Sequence, residues 1–223
     1  MLKAKPINVE KYFNDKAIYL ENNMVEKGQN SDKYKNIKRL MDIILSIIGL
    51  IIGIPLVIIF GIAIKIETHG PIIFTQERVG MNGRHFKIYK LRSMYYDAEK
   101  NGARWACKND PRITRIGMIM RKTRIDEVPQ LINILKGDMS IVGPRPERPQ
   151  FTIEFNKEIP GFINRLTVKP GLTGWAQVNG GYESTPEQKL KSDMYYIKNR
   201  SIVLDLIIIL RTVGIVLTGY GAR

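Results

Sequence analysis

A chain of 223 residues holds one sizeable core, or one domain with a membrane element, and leaves little room for two full domains. Its 35 Lys and Arg against 21 Asp and Glu give a net charge of +14, which favours polyanionic partners such as anionic lipid head groups, nucleotide diphosphates or nucleic acid. One cysteine, Cys107, excludes an internal disulfide framework, and two histidines, His69 and His85, are too few for a zinc site without more thiols.

The first 36 residues hold seven basic and five acidic side chains, so about +12 of the charge belongs to the remainder. They are mixed in charge and lack the apolar core of a cleaved signal peptide. We read them as an N-terminal extension, residues 1–36, without a legible function.

From Ile43 to Ile64 no side chain is charged, and a helix of that length reaches about 33 Å, against roughly 30 Å of hydrocarbon. Pro55 lies inside it among Gly49, Gly53 and Gly61, so a bend is expected there. Basic residues stand on both flanks: Lys33, Lys35, Lys38 and Arg39 before it, Lys65, Arg78 and Arg84 after it. Both ends therefore claim the cytoplasmic side. A segment over 37–65 that enters and returns on one face satisfies both, but proline also occurs in true transmembrane helices, so the re-entrant and spanning readings both stand.

Residues 72–91 predict a hairpin, with β-rich runs IIFTQERV and RHFKIYKL around Gly80-Met81-Asn82-Gly83. Arg78, Arg84, Lys87, Lys90 and Arg92 accumulate on it, which implies a nearby anion or lipid surface. The Met/Ile-rich stretch 113–122 reads as a basic helix whose apolar side could rest on the head-group boundary.

The run RKTRIDEVPQLINILKGDMSIVGPRP, from Arg121 to Pro146, holds the adjacent carboxylates Asp126 and Glu127. Val128, Leu131, Ile132 and Leu135 repeat with helical period and Pro129 falls in the first turn, so Asp126 is expected to cap a helix that Gly137 ends. An ordinary N-cap is the plain reading of an aspartate there. Basic flanks and the stiff Gly143-Pro144-Arg145-Pro146 run change the balance, because an arginine fixed between prolines loses little entropy when its fork grips a phosphate. A polyproline-type linker is the plainer reading of that run taken alone.

The glycine-rich segment 168–181 (VKPGLTGWAQVNGG) is turn-rich and poorly suited to regular structure; such loops often frame a site. Thr185-Pro186-Glu187-Gln188 opens a further helix by the capping-box pattern. The apolar stretch 202–220 carries Asp205 and Arg211, too much charge for a comfortable span, so an in-plane or core helix is expected. No Walker phosphate loop, Rossmann glycine fingerprint or Asp-x-Asp motif occurs.

Taken together the motifs resemble the bacterial sugar transferase family, the monotopic phosphoglycosyl transferases. In chain order they are Lys38-Arg39 with Asp42, GPIIFTQERVG from Gly70, FKIYKLRSM from Phe86, DPRITRIG from Asp110, the Asp126-Glu127 run, KGDMSIVGPRPE from Lys136 and VKPGLTGWAQVNG from Val168. The resemblance implies an α+β, predominantly helical protein with a re-entrant helix broken near Pro55 over residues 37–65 and a small cytoplasmic catalytic domain over 66–223, at the bacterial inner membrane. It implies transfer of a sugar 1-phosphate from a UDP-sugar to polyprenyl (undecaprenyl) phosphate with release of UMP, and contact with membrane lipids. Asp126 would be the nucleophile, Glu127 would bind Mg²⁺, and Arg121 and Arg145 would contact phosphate, with Lys90, Arg92 and Arg78 as further candidates. Some members carry serine before the break proline; Ile54 stands there here. The short length is that expected of a minimal catalytic form. A non-catalytic basic membrane scaffold is the alternative, and nucleic-acid binding the third reading, for which no recognition motif is present.

Overall fold

A computed structural model describes residues 32–100, 102, 110–180 and 184–218; Cys107 and most of the N-terminal extension lie outside them. Helix α1 spans Asp32–Glu67, beginning five residues ahead of the segment expected at 37. Pro55 lies within it, and the helical assignment runs through the proline without interruption. A proline removes one N–H from the ladder and can kink a helix without ending it.

Strands β1 (Ile73–Val79) and β2 (His85–Leu91) form the expected antiparallel hairpin, in register from Ile73 opposite Leu91 to Val79 opposite His85. Asn82 takes the left-handed conformation at the turn, φ 54°, which asparagine tolerates. Helix α2 (Arg115–Thr123) follows, then a 3₁₀ turn over Ile125–Glu127, helix α3 (Gln130–Lys136) and strand β3 (Ser140–Val142). Helix α4 (Pro149–Glu158) and a 3₁₀ segment (Phe162–Thr167) lead to strand β4 (Gly171–Thr173), which pairs parallel to β3. Helices α5 (Trp175–Gly180), α6 (Pro186–Asn199) and α7 (Ile202–Thr218) complete a mostly helical architecture with two small sheets among the described residues. The Thr185–Gln188 capping box and the Gly137 cap, φ 90°, both form as expected.

The main core joins Ile88, Leu131, Ile134, Met139, Val142, Tyr196 and Ile208, drawn from β2, α3, β3, α6 and α7. Helix α1 lies against this body along its length. Near its start Arg39 donates to the carbonyls of Ile134 and Leu135 at 2.6 and 2.7 Å, closing the C-terminal end of α3, where a cation also complements the dipole. Asp42 accepts from Ser140 Oγ and Ile141 N, both at 2.9 Å. A Cβ on Gly53 would stand 2.5 Å from Val128 Cγ1, and one on Gly61 would stand 3.2 Å from Ile72 Cγ2. Ile64 is buried with Leu91 and Met120.

The outward face of α1 is apolar and open: Ile51, Ile52, Ile58, Ile59 and Ile62 are all exposed. Among the described residues this is the one helix long and apolar enough to cross a membrane. Helix α2 adds exposed Met118 and Ile119, and α7 a stripe of Val203, Leu206, Leu210, Val213 and Leu217 at helical spacing. The two charges of α7 both have protein partners. Asp205 is fully buried and accepts from Lys38 Nζ at 2.9 Å, Tyr196 Oη at 2.8 Å and Tyr34 Oη at 3.1 Å. Arg211 donates to Asn179 and lies over the Trp175 ring.

Candidate active site

Helix α2 ends where Arg124 adopts the left-handed conformation, φ 59° and ψ 13°, its N–H reaching back to the carbonyls of Met120 and Arg121. A non-glycine residue held there costs energy and is commonly found where function demands a sharp change of direction. The chain passes directly into the 3₁₀ turn that carries Asp126 and Glu127, both 7 % exposed.

Asp126 is not the N-cap that the sequence pattern predicts. Pro129 occupies the cap position of α3 without a side-chain cap, because the turn supplies its own acceptors: Val128 N donates to Ile125 O, Leu131 N to Val128 O and Ile132 N to Pro129 O. The backbone donors are already satisfied, so both carboxylates are left for other work.

They are used differently. Glu127 Oε1 accepts from Arg145 Nη2 at 2.5 Å and from Lys90 Nζ at 3.1 Å. Burial by itself would raise this carboxyl, but Arg145 and Lys90 outweigh it and hold Glu127 well below the usual carboxylate range. Asp126 makes no hydrogen bond or ion pair among the described residues. Burial, and then the charge of Glu127, push it up to about 6, against the pull of Lys90, Arg121 and Arg145. The pair therefore consists of one committed anion and one adjacent carboxylate with free oxygens that ionises near neutrality.

Arg145 reaches Glu127 from a segment whose backbone is unusually well held. Four consecutive carbonyls each accept a bond from elsewhere in the chain: Pro144 from Gly171 N, Arg145 from Arg165 Nη2, and Pro146 and Glu147 from the adjacent Arg78 Nη1 and Val79 N at the end of β1, at 2.9 to 3.0 Å. The glycine-rich segment 168–181, expected to lack regular structure, instead forms β4 and α5. Gly171 and Gly174, with Gly143, serve close approach where β3 and β4 meet. A Cβ on Gly143 would lie 2.4 Å from Lys169 O, a backbone atom that cannot swing aside. Gly143→Ala is expected to lower stability by about 2 kcal/mol or more, measured as a fall in melting temperature.

A family model described as bacterial sugar transferase matches residues 33–219. The chain belongs to the bacterial sugar transferase family. A UDP-N-acetylgalactosamine-undecaprenyl-phosphate N-acetylgalactosaminephosphotransferase of Aeromonas hydrophila is 45% identical over 211 residues, covering 93% of this chain and 50% of its own. A Bacillus subtilis relative with the provisional name undecaprenyl-phosphate N-acetylgalactosaminyl 1-phosphate transferase is 54% identical over 166 residues, 74% of this chain and 90% of its own. A UDP-glucose:undecaprenyl-phosphate glucose-1-phosphate transferase of Xanthomonas campestris is 41% identical over 197 residues, 85% of this chain and 41% of its own. The chain thus spans half the length of the Aeromonas relative and less of the Xanthomonas one.

The residues singled out from sequence separate into two groups. Arg145 and Lys90 touch Glu127 directly, and Arg121, whose Nε donates to Ser93 Oγ at 2.9 Å, lies close enough for its charge to lower Asp126. Arg92 is engaged elsewhere: its guanidinium donates to the carbonyls of Thr68 and His69 and to Thr68 Oγ1, at the C-terminal end of α1. Arg78 supports rather than faces the pair, donating to Pro146 O and to Gln76 Oε1 at 3.0 and 2.6 Å; burial lowers it to about 10. Pro55 lies two residues beyond Gly53, which packs under Val128, so the proline region of α1 underlies the turn that carries the dyad.

The described residues contain no group of three or more Asp, Glu, His and Cys that could hold a metal. The donors that do exist fit a narrower task. Both cations sit on Oε1 of Glu127, leaving Oε2 as a ligand, and Mg²⁺ keeps several waters and takes one or two carboxylates with substrate phosphate oxygens. Glu127 Oε2 is the donor here that could hold such an ion.

Proposed function

We propose that this chain transfers a sugar 1-phosphate from a UDP-sugar to polyprenyl phosphate, undecaprenyl phosphate in bacteria, releasing UMP as the first step of polysaccharide or glycoconjugate synthesis. The observation that carries the reading is the dyad itself. Asp126 is buried, unbonded and next to a Glu127 whose charge is fixed by Arg145 and Lys90, on a turn packed against the apolar helix.

The chemistry proceeds in two displacements. An Asp126 carboxylate oxygen attacks the β-phosphorus of the donor; a phosphorus–oxygen bond forms to the carboxylate, and the bond from that phosphorus to the bridging oxygen breaks. The bridging oxygen leaves with UMP. A phosphate oxygen of the polyprenyl phosphate then attacks the same phosphorus and the carboxylate departs, regenerating Asp126. Arg145, Lys90 and Arg121 supply positive charge where the transferring group is most negative. Magnesium, held through Glu127, supplies further charge neutralisation when bound.

Purified protein with Mg²⁺, polyprenyl phosphate and a UDP-sugar panel is expected to release UMP; release of UDP would identify an ordinary glycosyltransferase instead. The panel begins with UDP-N-acetylgalactosamine, since two relatives at 45% and 54% identity carry that sugar in their names, against 41% for the glucose enzyme. Because Asp126 attacks as its anion and its carboxyl is raised by burial and by Glu127, kcat/KM for UMP release should fall as pH is lowered on the acid side. A kcat/KM flat on the acid side would remove Asp126 as the titrating nucleophile.

We further propose that α1 is re-entrant, entering and leaving on the cytoplasmic face of the inner membrane. Support comes from its packing: Gly53 and Gly61, on either side of Pro55, meet Val128 and Ile72 and stand eight positions or about 12 Å apart along the helix, far short of a hydrocarbon layer of roughly 30 Å. The apolar faces of α1, α2 and α7 would rest in the membrane. In a Cys107→Ser background, Lys33→Cys and Lys65→Cys should both react with an impermeant maleimide from the same side of membrane vesicles. Labelling from opposite sides would mean that the helix spans.

A further inference from the structure

Arg165 and Asp193 form a buried ion pair that the proposed chemistry does not use. Arg165 is 4 % and Asp193 1 % exposed; Arg165 Nε and Nη2 donate to Asp193 Oδ2 at 2.9 and 2.7 Å, and its guanidinium lies over the Phe162 ring, 4.9 Å from the centroid. The same Nη2 donates at 2.9 Å to the backbone carbonyl of Arg145, the residue whose side chain grips Glu127. Glu147 Oε1 stands 3.9 Å from Arg165 Nη1 while its Oε2 stands 3.9 Å from Arg78 Nη1, so one carboxylate lies between the two arginines that hold the carbonyls of Arg145 and Pro146.

We infer that Arg165, oriented by Asp193, is a positioning residue that sets where the Arg145 guanidinium stands relative to the Glu127 carboxylate and the donor's phosphates. The physical reason is directional. A guanidinium is a planar fork, and two of its nitrogens fixed on one carboxylate oxygen leave its remaining N–H bonds aimed along set lines; one of those lines meets the Arg145 carbonyl. A lysine in its place would keep the charge and lose the fork. Prolines on both sides of Arg145 limit how far its backbone can adjust, so an error of orientation is passed to the side chain rather than absorbed. Misplacement of a catalytic group by about an ångström costs on the order of a hundredfold in rate.

The inference rests on the sugar-phosphate transfer proposed above, and a double-mutant cycle in that reaction tests it. UMP release is measured for the wild type, Arg165→Gln, Arg145→Gln and the double variant, each checked for an unchanged far-UV spectrum and monodispersity in detergent. Arg165→Gln should lower kcat about 10- to 100-fold, and the double variant should be no more than about threefold slower than Arg145→Gln, because a positioning residue has nothing left to position once its target is gone. Arg165→Lys should be as impaired as Arg165→Gln. Should Arg165→Gln not fold, Asp193→Asn carries the same cycle, with the same lack of additivity expected. Losses that multiply in the double variant, or an Arg165→Gln enzyme within twofold of wild type, would overturn the assignment. A wild type that releases UMP from no UDP-sugar would instead sink the proposed function, and the positioning role with it.

Discussion

Asp126→Asn should abolish turnover and, at the same time, make the protein more stable. The loss of activity follows from the chemistry: an amide cannot form the phosphosugar ester, so both displacements are lost and the rate is expected to fall by about three orders of magnitude or more. The gain in stability follows from burial. The carboxyl of Asp126 is raised from 3.8 to about 6 by burial and by Glu127. A carboxyl whose folded pKa is raised favours folding fully only below its unfolded value, and that contribution is lost as pH rises through about 6. At neutral pH the folded wild type therefore carries a penalty on the order of 3 kcal/mol, which asparagine relieves. The melting temperature of Asp126→Asn should exceed that of wild type by roughly 5 °C or more at pH 7.5, and the difference should shrink on acidification below pH 5. Near-normal turnover would end the nucleophile assignment, and an unchanged melting temperature at both pH values would end the buried-charge account.

Glu127→Gln should also lose most of its activity, but with the opposite effect on stability. Glu127 is the anion on which Arg145 and Lys90 converge, at 2.5 and 3.1 Å. Replacing it leaves two cations facing each other in a largely buried site, and breaking one side of a buried ion pair costs about 3 to 5 kcal/mol. Its carboxyl lies below the ordinary range, so its contribution is present above pH 4.5 and is lost as pH falls through the folded value. The variant should melt lower than wild type at pH 7.5, turn over at least a hundredfold more slowly, and lose dependence on Mg²⁺ concentration. Adjacent isosteric substitutions with melting temperatures moving in opposite directions would be the signature of this dyad. A stabilised Glu127→Gln would show that Arg145 and Lys90 are not paired with it in solution.

Several parts of this arrangement are legible in the residues alone. The hairpin follows from two β-rich runs around a glycine-bounded turn, the α6 start from its capping box, and the end of α3 from Gly137. The dyad, Arg145, Lys90 and Arg121 stand out as charged groups in stiff or crowded surroundings. Other expectations failed for identifiable reasons. The Asp126 cap was outcompeted by backbone acceptors within the turn, a matter of local hydrogen bonding that residue type does not reveal. Gly171 and Gly174 read as turn formers because their actual partner, Gly143, is distant in sequence. The bonds that Arg92 makes to Thr68 and His69, just past α1, likewise carry no mark in the sequence.

What the sequence by itself determined was the chemical inventory: two adjacent carboxylates, stiffly mounted cations, a long uncharged helix and the family to which these motifs belong. Only the tertiary structure decided the division of labour, with Glu127 neutralised by residues 37 positions before it and 18 after it while Asp126 stays unbonded. The same holds for Arg165 and Asp193, 28 residues apart and without any local motif. Charge and propensity are properties of neighbours along the chain. Which of two carboxyl groups is paired or left reactive is a property of neighbours in space, and for this protein those neighbours come from β2, the end of α2 and the segment after β3.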